Sequence, residues 1–160
     1  MKNSKIIFFV LAMLSASCVR QDLPANNTLS PTTTQHNYTH QLKIGEKSLM
    51  VEISSTTAQM EQGLSGRAMM EDSQGMLFDF GQQPRGAEFW MKDMKFNLDF
   101  IWIAGGKIVG ITPGVPHPNS SNDPLPTYTP PQPVNQVLEV NAGWAKKNNI
   151  SVGDVVHLEN

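Results

Sequence analysis

Beyond residue 18 the apolar residues of this chain occur only in short runs, each closed by a charged or glycine-bearing turn. None approaches the ~18 consecutive apolar residues of a membrane-spanning helix, and most show the alternation of a half-buried strand. Leu49, Val51 and Ile53 alternate with polar residues, and GEK at 45–47 turns that run back on LKI. GMLFDF (75–80), EFWMK (88–92), LDFIWI (98–103), KIVGIT (107–112) and QVLEV (136–140) read as further strands. Gly105-Gly106 joins two of these into a hairpin, and SVGDVVHL carries a Gly-Asp turn into a last strand. The pattern predicts a mainly β fold, α+β with few short helices, compact and either sandwich or barrel-like.

Two helices are expected. Thr56 and Gln59 have the spacing of a capping box, which starts a helix through AQMEQGL with Met60 and Leu64 on its inner face. Asn141 is placed to cap a second, AGWAKKN. The stretch EFWMKDMKFNLDFIWI (88–103) is dense in aromatic and sulfur side chains but holds Glu88, Lys92, Asp93, Lys95 and Asp99, too many charges for hydrocarbon. It reads as two core strands joined by a charged turn.

The chain opens MKNSKIIFFVLAMLSASC, with Lys2 and Lys5 before an uncharged apolar run and small residues up to Cys18. That is the plan of a secretory signal over residues 1–17. Cys18 is the single cysteine. It has no partner for an internal disulfide, and thioether-linked lipid would account for both its position and its solitude. LSASC is similar to a bacterial lipobox, although Leu14 lies four residues before the cysteine rather than three; Ser15-Ala16-Ser17 also suits an ordinary signal peptidase, and an uncleaved anchor is the third reading. Residues 18–35 form a polar, threonine-rich stretch with too little apolar surface to offset ordering, hence a disordered tether. Residues 36–160 are the size of one domain. The expected location is outside the cytoplasm, in a periplasm or at the cell surface, held to the membrane through Cys18.

Without Lys2 and Lys5 the chain has 10 basic and 14 acidic residues, formally −4. Its basic residues do not cluster, which argues against nucleic acid as a partner. Between Thr112 and Val134 lie eight of the eleven prolines. A loop of that length without periodicity serves either as an extended cover or edge protector, or as a lid or partner-binding strip offering Tyr128 and His117.

The order TTAQMEQGLSGR, GMLFDF, FWMKDMKFNLDFIWI, KIVGI, VLEVNAGWAKKNNISVGDVV resembles the bacterial and archaeal family called domain of unknown function 192 over about residues 42–158. Its motif positions fall on Gly63, Leu64 and Arg67, on Gly75 to Phe78, on Trp90, Met91, Lys92, Leu98 and Asp99, and on Leu138, Glu139, Ala142, Gly143, Gly153 and Asp154. Ser65, Asp93, Met94 and Asn97 depart from the family pattern. The resemblance implies a small, mainly β, sandwich or barrel-like domain of a kind often exported, and implies no activity.

Chemistry therefore has to come from the residues. Asp99 and Glu139 lie within large apolar neighbours, and a buried carboxylate needs a counter-charge or backbone N–H groups. Arg67 and Lys92 are the candidate counter-ions, so the four could form one polar cluster. As a pair, the two acids could do acid/base work or hold a cation; as an ion-pair network they could be purely structural. Trp90 beside charged groups has the make-up of a sugar- or peptide-binding groove, or simply of core. His36, His40, His117 and His157 lack zinc-ligand spacing. Met69, Met70, Met76, Met91 and Met94 offer soft ligands for Cu(I) or adaptable core filling. No G-x-S-x-G, P-loop or H-E-x-x-H motif is present. The reading that gathers most of this is a cell-envelope binding or accessory module, without a required cofactor, with a groove near Arg67, Trp90, Lys92, Asp99 and Glu139 for a small molecule, glycan or protein. An envelope hydrolase using the Asp99/Glu139 pair is the competing reading, and a copper-binding protein the third.

Overall fold

Gly105 and Gly106 both take positive φ, 57° and 71°, a conformation glycine adopts without the Cβ penalty. There the chain folds β4 (Leu98–Ala104) back on β5 (Lys107–Val115). A second tight turn joins β1 (His40–Ile44) to β2 (Lys47–Ser54). β3 (Gln74–Asp79), β6 (Gln136–Asn141) and β7 (Val156–Glu159) complete a seven-stranded sheet in the order β5-β4-β6-β3-β2-β1-β7. The computed structural model describes residues 36–120 and 122–159; the expected signal, Cys18 and the tether lie outside the described residues.

All neighbours are antiparallel except β2 and β3, which are parallel and connected by a crossover carrying α1 (Thr57–Gln62). The sheet curls far enough for its two edges to meet at one end. Ile108 N–H donates to the Asp154 carbonyl at 3.0 Å and Val156 N–H to the Gly106 carbonyl at 2.8 Å, joining the start of β5 to the start of β7. The fold is thus barrel-like and mainly β, one of the two architectures the strand pattern allows.

Period-2 alternation sorts the strand residues onto two faces. The concave face gathers Leu42, Val51, Leu77, Ile101, Ile103, Leu138 and Val140 into one buried cluster, closed by Trp144, Ala145 and Ile150 from and after α2 (Trp144–Lys147). The convex face gathers Met76, Phe78, Phe100, Trp102 and Val137 into another, covered by loops rather than by a second sheet. β3, β4 and β6 bury both faces, which is why they read as near-continuous apolar runs.

Three local expectations change. EFWMK is not a strand: its ladder pairing is limited to Phe89, whose N–H and C=O pair with Tyr128 at 2.9 and 2.8 Å, while the chain crosses the convex face as a loop. α1 ends at Gln62, because Gly63 turns to positive φ, so Leu64 is buried from the following turn. Asn141 closes β6 instead of capping α2; its amide donates to the Met70 carbonyl at 2.8 Å, and Gly143 is the residue that starts the helix.

The proline-rich segment is in part a packed cover. Residues 113–115 extend β5, and Tyr128 to Val134 lie on the convex face. Val134 exchanges two 3.0 Å backbone hydrogen bonds with Arg85, and the Tyr128 ring meets Phe100 edge-on at 5.7 Å.

Candidate ligand cleft

The capping box at Thr56 and Gln59 forms as expected, with the Gln59 side chain also accepting from the Ser55 N–H, and sets α1 at the rim of the convex face. The turn after it is pinned by two bonds to the next loop: Ser65 Oγ donates to the Lys92 carbonyl at 2.8 Å and Gly66 N–H to the Asp93 carbonyl at 2.9 Å. Residues 85–90 form the opposite wall, held by the bonds to Tyr128 and Val134. Between the walls is a cleft of about 430 Å³. Phe78, Phe89, Met94 and Glu139 line its inner part, and Trp90, half exposed, stands among its outer residues.

Glu139 is 5% exposed, and none of the hydrogen bonds among the described residues engages its carboxyl. Burial pushes its pKa up to about 8, against the opposing attraction of Arg67. The shift favours the neutral carboxylic acid at pH 7, a form able to donate as well as accept. Arg67 lies deeper. Its guanidinium places Nη2 2.9 Å from Glu52 Oε2 and donates from Nη1 to the Tyr38 hydroxyl at 3.0 Å. The Glu52 contact is a charge contact without hydrogen-bond alignment. Burial raises the Tyr38 phenol, and Arg67 pulls it back. The strand register explains the grouping: Glu52 stands beside Met76, Met76 beside Glu139, and Glu139 beside Phe100, one cross-strand row on the convex face.

Asp99 does not belong to this group. It stands beside Val140, on the concave face, fully buried. Its carboxylate accepts from Gly114 N–H at 2.8 Å, Gly143 N–H at 3.0 Å and Ala145 N–H at 3.0 Å. It supplies the N-terminal cap that α2 lacks from its own residues and ties that helix to β5. The pairing of Asp99 with Glu139 is thereby corrected: a sheet separates the two acids, and no carboxylate-pair hydrolysis can run between them. Lys92 is also elsewhere, exposed on a separate hollow with His117 and Leu125. Of the five predicted groove residues, Trp90 and Glu139 line the cleft, Arg67 backs it, and Lys92 and Asp99 do not take part.

Sequence reasoning missed Glu52, Tyr38, Phe89 and Arg85. Glu52 carried a usable signal, since it shares the polar parity of its strand with Ser54, whose hydroxyl is buried. The methionines Met70, Met76, Met91 and Met94 are packed into the convex-face core, and among the described residues no group of three or more His, Cys, Asp or Glu side chains gathers around a common point.

Residues 40–158 match the profile of DUF192, described as "Uncharacterized ACR". The chain belongs to this family. A proposed transcription regulator from Sinorhizobium meliloti 1021, solved by crystallography, is 34% identical and superposes with a TM-score of 0.65, covering 74% of this chain and 92% of its own. A protein of unknown function from Novosphingobium aromaticivorans DSM 12444 is 26% identical with a TM-score of 0.64, covering 73% of this chain and 83% of its own. No curated protein matches the chain.

Proposed function

We propose that this DUF192 domain is an exported binding module, anchored at the membrane through Cys18, that holds a small ligand in the cleft between α1 and residues 85–90. One observation carries the binding reading: a buried carboxyl, Glu139, borders a cleft of ligand size without a hydrogen-bond partner among the described residues. Glu52 Oε2 and Ser54 Oγ are also buried without a hydrogen-bond partner, but neither residue lines the cleft, whereas Glu139 does; a polar group left open toward a cavity is an invitation to a ligand group or water. The aromatic lining and the half-exposed Trp90 support the same use. The signal-like residues 1–17 and the solitary Cys18 support the location.

The test is a thermal melt of the full chain in detergent against sugars, cell-wall fragments, short peptides, amines and carboxylates. A compound at 100 times its dissociation constant adds about 2.7 kcal/mol to the folded state, a shift of several degrees. Trp90→Ala should remove the shift. The absence of any shift across the panel would overturn the cleft reading. For the anchor, Cys18→Ser should release the protein from the membrane fraction; retention there would overturn lipidation.

A further inference from the structure

The cleft is lined by more acids than bases. Glu61, Glu88 and Glu139 line it against one cation, Arg85. Arg85 is already occupied: its Cζ lies 4.3 Å from the centroid of the Phe80 ring, and its Nη2 is 3.6 Å from the Met60 sulfur. It therefore shows that a cation settles on an aromatic face at this rim. Further in, Phe78 and Phe89 meet edge-to-face at 4.9 Å, and Trp90 also lines the cleft. Aromatic rings plus a buried carboxyl are the chemistry that recognises an alkylammonium group, the rings through their negative faces and the acid through its charge.

We propose that the ligand of this cleft is a small organic ammonium ion, held by the Phe78, Phe89 and Trp90 rings and by Glu139. This rests on the binding reading given above and names its ligand class. The cation adds to the attraction of Arg67 the nearby positive charge that holds Glu139 ionised. On binding, the carboxyl gives its proton to solvent and remains as carboxylate beside the ammonium, so charge and protons balance. The other charged and titratable groups around Glu139 are Arg67, with Glu52 and Tyr38, on the sheet side and Glu61, Glu88 and Arg85 on the cleft side. Glu52 offsets the Arg67 charge, which leaves Glu139 free to accept a second cation.

The full chain in detergent is titrated by calorimetry with choline and with its uncharged isostere 3,3-dimethylbutan-1-ol, at pH 7 and pH 9. Choline should bind about tenfold more tightly at pH 9 than at pH 7, because Glu139 is then already ionised, and binding at pH 7 should release close to one proton. Glu139→Gln should abolish both the pH response and the proton release, and Trp90→Ala should weaken binding at both pH values. Equal affinity for the alcohol, or choline binding unchanged in Glu139→Gln, would overturn the ammonium assignment. If choline is silent while another compound gives a Trp90-dependent melting shift, the assignment falls and the cleft reading stands; if nothing binds, both fall.

Discussion

Asp99 and Glu139 sit one position out of step across β4 and β6, Asp99 beside Val140 and Glu139 beside Phe100, so their carboxyls face opposite sides of one sheet. The two acids meet the cost of burial differently. Asp99 receives three backbone N–H groups, whereas Glu139 receives none and turns neutral instead. One is a structural clasp, and the other borders a cavity.

The clasp gives the first prediction. Asp99→Asn keeps the shape but replaces one acceptor oxygen with an NH2 group, so at least one of the Gly114, Gly143 and Ala145 N–H groups faces a donor. Urea unfolding should show a loss of about 2–3 kcal/mol, the cost of leaving a buried donor unmade beside a lost charge-assisted bond. An unchanged midpoint would mean that Asp99 does not hold α2.

Glu139 gives a dependence on pH. Its folded-state pKa, about 8, lies above its ordinary value of 4.5. The folded protein therefore binds more protons than the unfolded chain between these values. The stability contributed by neutral Glu139 is complete below about pH 4.5 and is lost as pH rises through 8. The slope should approach 1.4 kcal/mol per pH unit near pH 6, set against the other titrating groups. Glu139→Gln should flatten that window in melts taken from pH 5 to pH 9; a slope unchanged by the substitution would assign it to other residues.

Much of this fold was legible from parity. Alternation in LMVEI, the Gly105-Gly106 turn and the capping box at Thr56 each specify their element with neighbours in sequence, and each forms. EFWMK failed because its apolar side chains are satisfied by a loop, not a ladder: Phe89 pairs with Tyr128, 39 residues on, and no local signal marks that partner. The candidate site was half legible. Burial of Asp99 and Glu139 followed from their apolar neighbours, and the alternative of backbone N–H partners for Asp99 was already open. Which acid meets which cation was not readable, because the β4–β6 register decides it, and a one-residue step moves a side chain to the other face.

Arg67 is the cation that meets the cross-strand row at Glu52, its side chain 8% exposed against 26% for Glu52. Arg67→Met should leave Glu52 without its counter-charge and Tyr38 without its donor. Glu52 retains some water, so the cost should be about 2 kcal/mol, below the 3–5 kcal/mol of a fully buried broken pair. Glu139 and Tyr38 should both titrate at higher pH than in the wild type, since Arg67 holds each down. NMR titration of the two side chains checks this; unchanged midpoints would show that Arg67 exerts no field at either.

The proline-rich cover depends on a close approach at Gly110. A Cβ there would lie 2.9 Å from both Cγ and Cδ of Pro131 and 3.2 Å from Cδ1 of Trp102, all inside ordinary contact. Trp102 is 1% exposed and its indole N–H donates to Thr112 Oγ1 at 2.9 Å, so it has little room to give. The cover must move instead. Gly110→Ala should cost about 1–3 kcal/mol by overpacking. It should also open residues 127–134 to proteolysis under native conditions, where the wild-type segment resists. Gly86→Ala, with nothing within 4 Å of the added methyl, is the matched control and should leave the cleavage pattern unchanged. Rapid cleavage at 127–134 in the wild type would mean that the segment is not a packed cover in solution.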